Sequence, residues 1–292
     1  MPLISEKLKP EFEIGDVLDN KIQASNYSLF FYIAQDSFCF AMLENESNRF
    51  VGFKYYDLSF AKSLNETLSF VTKIIGEEKY LKDKSYKQVV LAAESRKNLF
   101  IPQAFFDEQN AQSYFDLNFD RMGHEDLFFE KIKYADFVNL YSVDSALSYF
   151  IKNNFPTAHV CHYISGWLTS LLLKYKDRSD NYMFVNILNK TVNVCVIQNG
   201  KMIFYNTFQY FNEDDIMYFM MNVIEQLKLD TYTLKTELSQ HGLKQLDMRN
   251  ILGKYLRDIK FVDRTSNHIF SFHFNSVPAH YFPVIFDLSL CV

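Results

Sequence analysis

The chain contains the same arrangement of apolar segments twice, about 155 residues apart. Each copy has three apolar runs separated by short polar turns, a pattern typical of an antiparallel three-stranded meander. The runs lie at 27–33, 38–42 and 50–55 in the first copy and at 182–188, 192–197 and 202–208 in the second. An amphipathic helical pattern follows each meander. Because one supersecondary unit recurs in the same order, the sequence predicts a duplicated α/β fold.

The length of the chain, 292 residues, is sufficient for two domains of ordinary size. Hydrophobic residues make up 48% of the sequence, which excludes general disorder. The charged segment 176–180 separates the two copies of the repeat. We therefore predict an N-terminal lead over 1–25, a first lobe over 26–177 and a second lobe over 178–292.

Charge and hydropathy argue against several kinds of partner. The net charge of −5 comes from mixed signs without a basic stripe, so nucleic acid is not an expected partner. No apolar run approaches the roughly 20 residues of a membrane helix, and residues 1–19 lack the apolar centre of a signal peptide. We expect a cytoplasmic protein without direct membrane insertion. Four cysteines without paired spacing are expected to be buried, reduced thiols: Cys39, Cys161, Cys195 and Cys291.

Periodicity predicts further elements between and after the meanders. Ser63 and Glu66 have the spacing of a capping box before a helix that extends to about Ile75, and Asn212 is placed to cap the corresponding helix of the second half. The other predicted helices lie at 107–115, from Asp144 to before Pro156, at 164–175 and at 244–255. The other predicted strands lie at 88–93, 128–133, 137–143, 157–161, 234–238, 269–274 and 282–290. The helical spacing predicts buried side chains for Trp167, Leu171, Phe219, Val223 and Leu227.

The order of meander, helix, strand and helix, present twice, resembles the actin-like and sugar-kinase fold. More specifically, the chain resembles an uncharacterised bacterial family assigned an actin-like ATPase fold. The resemblance covers most of the chain and rests on residues 38–40, His162, 204–208, 212–215, 225–227 and 238–239 before Gly242. It implies an α/β fold with two ribonuclease-H-like lobes, each with a mixed sheet flanked by helices. The family supplies no established activity, and its distant relatives in cell division and pilus assembly act mainly by binding partners.

The resemblance also implies where a nucleotide would bind, at one hairpin turn of each lobe. Such turns need glycine, because it lets successive backbone N–H groups approach the phosphates. The first turn reads Ala34-Gln35-Asp36-Ser37 and the second Asn189-Lys190-Thr191, and neither contains glycine. An adenosine site would need a glycine pair after the strand near residue 238, where the chain has the single Gly242. If a nucleotide binds, the candidate contacts are Asp36, Ser37, Lys190, Thr191 and Gly242; otherwise these are ordinary turns.

Other catalytic patterns are not found in the sequence. The first strand, 27–33, has no carboxylate with which a ribonuclease-H-type nuclease could begin a two-metal site. His159 and His162 have an H-x-x-H spacing but no nearby Cys or Glu to complete a zinc site. No G-x-S-x-G or phosphate-loop motif occurs. We therefore predict no catalytic residue, no metal ligand and no resident cofactor.

Three functional hypotheses follow from these patterns. The preferred one is a non-catalytic actin-like scaffold that binds another protein or a second copy of itself. Adjacent aromatic pairs support it, since strand alternation should expose one member of each: Phe105-Phe106, Phe128-Phe129 and Tyr55-Tyr56, together with Phe211. The alternative is a divergent ATPase or kinase of the actin-like superfamily that binds ATP and Mg²⁺. A small-molecule sensor is the third.

Overall fold

The computed structural model describes residues 8–15, 23–82, 85–120, 123–242 and 247–292. Its helices and strands form two compact units, which we call the first and second lobes. The first lobe extends to Trp167 and also includes Ser266–Ser276 and Ile285–Val292. The second comprises Leu168–Thr265 and Val277–Val284. This division falls inside a helix and gives C-terminal segments to both lobes, whereas the sequence placed a single boundary after residue 177.

The elements alternate between strands and helices along the chain. In chain order the strands are β1 (Phe12–Gly15), β2 (Tyr27–Ile33), β3 (Ser37–Glu44), β4 (Arg49–Asp57), β5 (Gln88–Ala93), β6 (Asn98–Pro102), β7 (Glu125–Lys131), β8 (Phe137–Asp144), β9 (His159–His162), β10 (Asn181–Ile187), β11 (Thr191–Gln198), β12 (Lys201–Gln209), β13 (Lys235–Gln240), β14 (Asp258–Phe261) and β15 (Ile269–Phe270). The helices are α1 (Leu64–Glu77), α2 (Lys79–Lys82), α3 (Ala111–Asp116), α4 (Ser145–Asn154), α5 (Tyr163–Tyr175), α6 (Glu213–Gln226), α7 (Met248–Leu252) and α8 (Pro283–Asp287). Short 3-10 helices lie at Ala24–Asn26, Gln103–Phe105, Glu108–Asn110, Phe272–Ser276 and Leu288–Cys291.

The two lobes contain the same five-stranded mixed sheet. Its order is β4-β3-β2-β5-β9 in the first lobe and β12-β11-β10-β13-β14 in the second. The five strands are 7, 8, 9, 6 and 4 residues long in chain order in both lobes. The helix after each meander has 14 residues in both. A register shift occurs at the same place in the second hairpin, between Met42 and Leu43 and between Val196 and Ile197. The predicted duplication is therefore confirmed.

The sheet of the first lobe is buried on both faces. One face packs against α1 and α4 in a core that includes Phe31, Phe40 and Val71. The other face meets the C-terminal segment, where the Phe286 ring lies 5.0 Å from Phe50 and 5.5 Å from Phe53. Because neither face meets solvent, β2 is an almost continuous apolar run and not an alternating one.

The caps of the two long helices differ in detail. At α6 the predicted cap is complete, since the Asn212 side chain accepts from the Asp215 N–H and the Asp215 carboxylate accepts from the Asn212 N–H. At α1 the Ser63 hydroxyl accepts from the Glu66 N–H at 3.3 Å. In a capping box the Glu66 carboxylate would accept from the Ser63 N–H. Here it accepts from the Lys62 N–H at 2.8 Å, one residue earlier in the chain. Both arrangements satisfy N–H groups that the helix itself leaves unpaired.

A three-stranded antiparallel sheet, in the order β6-β8-β7, is inserted between β5 and β9 of the first lobe. It includes the predicted strand pair at 128–133 and 137–143. The helix predicted at 107–115 divides into a 3-10 turn at Glu108–Asn110 and α3. A separate small core, centred on Ile101, Phe115 and Leu140, holds α3 against the sheet.

Several predicted segments differ from the structure. The N-terminal lead contains β1, which pairs antiparallel with β4 through Gly52 to Tyr55. Its alternation of Phe12 and Ile14 with glutamates is that of an edge strand. The segment predicted as strand 282–290 forms α8 and a 3-10 turn, because Pro283 has the fixed φ that suits the first position of a helix. Of the helix predicted at 244–255, residues 244–246 lie outside the described residues.

Burial confirms most, but not all, of the predicted core. Trp167, Leu171 and Val223 are buried, and so are Cys39, Cys161 and Cys195, whereas Cys291 is partly exposed. Phe219 and Leu227 are only partly buried against the second-lobe core. The Phe219 ring stacks at 4.6 Å on Phe208 of β12, the edge strand, where fewer neighbours cover it. Within the described residues, no helix has the length and apolar character required to cross a bilayer.

We expect Met220→Ala in α6 to lower the free energy of unfolding by about 2–5 kcal/mol. The Met220 side chain is 0% exposed, so its removal leaves a cavity in the core of the second lobe. Urea denaturation measures the change. Tyr218→Ala on the same helix, 65% exposed, is the matched control and should change stability by less than about 0.5 kcal/mol. Equal losses in the two variants would contradict the assigned face of α6.

Candidate functional site

In open α/β sheets, ligands bind at the carboxyl ends of the parallel strands. The first predicted turn lies at this edge of the first lobe, where β2 ends. The Asp36 side chain is partly buried, while Ser37 is buried and its hydroxyl donates to the Asp36 carboxylate at 3.4 Å. The turn closes through the Ala34 N–H and the Ser37 carbonyl at 3.0 Å. Asp36 and Ser37 therefore lie at the predicted edge.

The second turn has the same hydrogen bonds. The Leu188 N–H donates to the Thr191 carbonyl at 2.8 Å, and the Tyr210 N–H donates to the Lys190 carbonyl at 3.1 Å. In the first lobe the equivalent bond joins the Leu58 N–H to the Asp36 carbonyl at 2.8 Å. Lys190 is exposed and Thr191 is buried. In both lobes, a carbonyl of the turn is bound to the residue that follows the third strand of the same meander.

The φ angles of these turns show whether their backbone N–H groups form a nest for a phosphate. A nest of N–H groups around a phosphate alternates right-handed with left-handed residues. Every residue of 34–37 and 188–191 is described, and none has a positive φ. The turn between β11 and β12 provides the contrast, because Asn199 and Gly200 have φ of 49° and 73° there, as an Asn-Gly hairpin requires. The two candidate phosphate turns therefore do not form nests.

Gly242 lies beyond the carboxyl end of β13, the strand parallel to β10. Its φ is 113°, a conformation that favours glycine, and its carbonyl accepts from the Gln240 side chain at 3.2 Å. The preceding residue, His241, donates its N–H to the Ile187 carbonyl at 2.7 Å. Lys190, Thr191 and Gly242 thus lie at one edge of the second lobe, at the ends of adjacent strands. The predicted strand at 234–238 is also confirmed.

A row of buried polar side chains crosses the second-lobe sheet near this edge, and the sequence analysis missed it. Asn186 on β10 lies opposite Asn193 on β11, and both are 0% exposed. The Asn186 amide oxygen accepts from the Ser239 hydroxyl at 3.0 Å, and the Asn193 amide oxygen accepts from the Thr207 hydroxyl at 2.9 Å. The sequence does contain a signal for this row, namely polar residues within otherwise apolar strands. These side-chain bonds join β13 to β10 and β12 to β11, in addition to the backbone bonds of the sheet.

A second missed cluster, in the first lobe, joins Glu130, Ser165, His162 and Asn139. The Glu130 carboxylate accepts from the Ser165 hydroxyl at 2.6 Å and from the His162 N–H at 2.7 Å. Burial raises the pKa of Glu130 to about 7, although both hydrogen bonds favour its ionised form. The His162 ring is buried, which lowers its pKa to about 3, and its Nε2 lies 2.9 Å from the Ser95 carbonyl.

The chemistry of this cluster is that of a closed polar core. All of its members except Glu130 are at most 3% exposed, and the carboxylate already accepts two hydrogen bonds. Since His162 is buried and contacts a backbone carbonyl, its spacing from His159 does not indicate a metal site. Across the described ranges, no three His, Cys, Asp or Glu side chains are grouped as metal ligands.

Comparison with protein families identifies the relatives of this chain. Residues 18–259 match the family described as protein of unknown function DUF3822. The chain belongs to this family. No curated protein matches it.

Solved structures show the fold of this DUF3822 member. A Bacteroides thetaiotaomicron VPI-5482 protein, described as having an actin-like ATPase fold and unknown function, is 18% identical with a TM-score of 0.72, covering 83% of this chain and 94% of its own. A structure of the PilM–PilN type IV pilus biogenesis complex is 9% identical with a TM-score of 0.63, covering 90% and 97%. The actin-like α/β fold predicted from the sequence is confirmed.

The raised pKa of Glu130 predicts a pH-dependent stability. Between its usual value of 4.5 and about 7, the unfolded state ionises while the folded state keeps its proton. The Glu130 contribution to the free energy of unfolding is therefore fully present below pH 4.5 and lost as pH rises to about 7, a fall of about 3 kcal/mol. Urea denaturation at several pH values in this range should show that the free energy of unfolding falls in wild type relative to Glu130→Gln.

The comparison isolates Glu130 because other titrating groups are common to both proteins. Burial also lowers the pKa of His162 and of His241 to about 3, and these rings stabilise the fold as pH rises. Their contribution cancels when the variant is subtracted from wild type. Parallel pH profiles for the two proteins would show that Glu130 is ionised in the folded state throughout the range.

Proposed function

We propose that this protein is a non-catalytic actin-like scaffold that acts by binding another protein or a second copy of itself. The observation that carries the proposal is the conformation of the two turns. Neither has a glycine or a residue with positive φ, and each uses a carbonyl for its own meander. A turn without a left-handed residue lacks the alternation by which a nest directs successive N–H groups at a phosphate, which supports the proposal. Under this proposal the protein has no nucleotide cofactor and works in the cytoplasm.

The exposed aromatic side chains also support a binding role. Phe105 is 75% exposed and Phe129 is 42% exposed, and both lie on or beside the inserted three-stranded sheet. Phe211, which precedes α6, is 83% exposed. Tyr55 and Tyr56 do not belong to this set, because both are buried: β4 is covered on both faces and paired at both edges. Exposed aromatic side chains are frequent at the centres of protein interfaces.

The PilM–PilN structure supports the same class of function, since that actin-like protein is held in a complex with another protein. The alternative is a divergent ATPase or kinase in which Asp36, Ser37, Lys190, Thr191 and Gly242 contact ATP and Mg²⁺. The position of these residues at the carboxyl ends of the parallel strands supports this alternative. The two functions predict opposite results with nucleotide.

We expect ATP with Mg²⁺ at millimolar concentration to leave the melting temperature unchanged. A ligand at one hundred times its dissociation constant adds about 2.7 kcal/mol of stability, which differential scanning fluorimetry detects as a clear shift. Asp36→Ala and Lys190→Ala should behave as wild type with and without nucleotide. Saturable ATP binding that either substitution abolishes would replace the scaffold proposal with the ATPase alternative.

The binding role has its own test in affinity purification from native cells. Phe105→Ser removes an exposed aromatic side chain from the inserted sheet and should reduce the recovery of a specific co-purifying protein. Tyr149→Ser, at a side chain that is 70% exposed on α4, is the matched control and should leave recovery unchanged. Equal recovery in all three proteins would exclude the inserted sheet as the binding surface.

A further inference from the structure

Two of the four cysteines, Cys161 and Cys291, lie in the same lobe although they are far apart in the sequence. Cys161 is in β9, the end strand of the first-lobe sheet among the described strands, where it lies opposite Ala92 of β5. Cys291 is the last residue of the 3-10 turn Leu288–Cys291 in the C-terminal segment. Their sequence spacing does not indicate a pair, so only the fold can bring them together.

The alternation of side chains along β5 and β9 places Cys161 on the face that the C-terminal segment covers. Leu91 and Ala93 of β5 belong to the core on the side of α1 and α4. Ala92, between them, therefore points to the other face, and so does Cys161 opposite it. The C-terminal segment covers that face, and its turn Leu288–Cys291 packs against β5. Both cysteines therefore lie on the same side of the sheet.

The two thiols are in contact on this side of the sheet. The Cys161 side chain is 0% exposed, and its thiol is hydrogen-bonded to that of Cys291. This hydrogen bond, together with burial, raises the pKa of Cys161. Cys291 is partly exposed, and the Lys133 ammonium donates to the carbonyl of the next residue, Val292, at 2.6 Å. Cys291 is therefore the member of the pair that solvent reaches, and Cys161 is the buried member.

We propose that Cys161 and Cys291 form a site of reversible oxidation, at which a disulfide joins β9 to the C-terminal segment. The oxidant is a low-molecular-weight disulfide. The Cys291 thiolate attacks one of its sulfurs, so that a mixed disulfide forms and one small thiol leaves. The Cys161 sulfur then attacks Sγ of Cys291 and displaces the second small thiol. The two protein thiols thus give two electrons and two protons to the small disulfide, which becomes two thiols.

The fold favours the second step over further reaction with the small thiol. A bond between distant residues usually requires the closure of a long loop, which costs conformational entropy. Here folding has already closed the loop, because the two thiols are hydrogen-bonded in the folded chain. The raised pKa of Cys161 makes its attack slow at neutral pH and faster as the pH rises, since the thiolate is the nucleophile. The disulfide then ties the C-terminal segment to the sheet that it covers.

The other two cysteines lack this arrangement. Over the described residues, burial alone raises the pKa of Cys39 and of Cys195. Both side chains are 0% exposed, so a reagent in solution reaches neither in the folded chain. In a reducing cytoplasm, disulfides are usually transient and sense oxidants, so we expect the Cys161–Cys291 pair to stay reduced until the small disulfide accumulates. This inference goes beyond the scaffold function and does not depend on it.

The test is equilibration of the folded protein with mixtures of reduced and oxidised glutathione at mildly alkaline pH, followed by acid quenching, alkylation and mass spectrometry. Wild type should lose the mass of two hydrogen atoms, and its digest should contain a peptide that links Cys161 to Cys291. Excess reduced glutathione should remove the link. Cys39 and Cys195 should be recovered as alkylated thiols after unfolding. A wild type that stays reduced, or carries only a glutathione adduct, in the most oxidising mixture would overturn the proposal.

Two variants separate the steps of the reaction. Cys161→Ser should stop after the first step and accumulate one glutathione on Cys291, because the second nucleophile is missing. Cys291→Ser should take up no glutathione and form no link. Cys195→Ala, which removes a buried thiol from the second lobe, is the matched control and should form the link as wild type does.

Circular dichroism checks the folding of each variant. If Cys161→Ser does not fold, Cys291→Ser decides the result, because its position is partly exposed. A cross-link within the chain that persists in Cys291→Ser, or a disulfide between the Cys291 residues of two chains, would contradict the proposed site.

Discussion

In each lobe, the first strand of the meander is also the central strand of the sheet. β2 pairs antiparallel with β3 and parallel with β5, and β10 does the same with β11 and β13. The parallel pair requires the chain to return to the starting end of the sheet, and α1 and α6 make that return. The carboxyl ends of the parallel strands then lie side by side, with the first hairpin turn beside them. The helix packing, the position of the turns and the covering of the sheet all depend on this pairing.

The scarcity of glycine does not prevent the chain from forming this fold. The chain has 8 glycines, and only Gly200 and Gly242 adopt a positive φ among the described residues. At Gly200 a Cβ would lie 2.0 Å from the Lys176 carbonyl oxygen, so this hairpin depends on its glycine. The first hairpin of each lobe closes without one. The two sheets therefore keep the same geometry although neither first hairpin contains a glycine or a residue with positive φ.

The sequence predicted elements well wherever neighbours along the chain determine burial. The strand predicted at 27–33 has those bounds, as does the strand at 88–93, and the Asn212 cap is complete. Predictions failed where a distant segment provides the cover. Tyr55 and Tyr56 were expected to expose one ring, but Phe286 from the far end of the chain packs against Phe53 of the same strand. The row of buried polar side chains was equally hidden, because Asn186 and Asn193 lie opposite each other only after β10 and β11 pair.

The differences between the lobes lie at the places where the repeat meets additional chain. The inner five strands agree in length and register shift, because each is constrained by two neighbours or by the helices on its faces. The outer side of β4 accepts two further strands, while that of β12 accepts none among the described residues. Covering an edge satisfies backbone groups whichever chain supplies the strand. In the first lobe β1 and β15 supply that cover, so the difference between the lobes lies in the chain added around the repeat and not in the repeat itself.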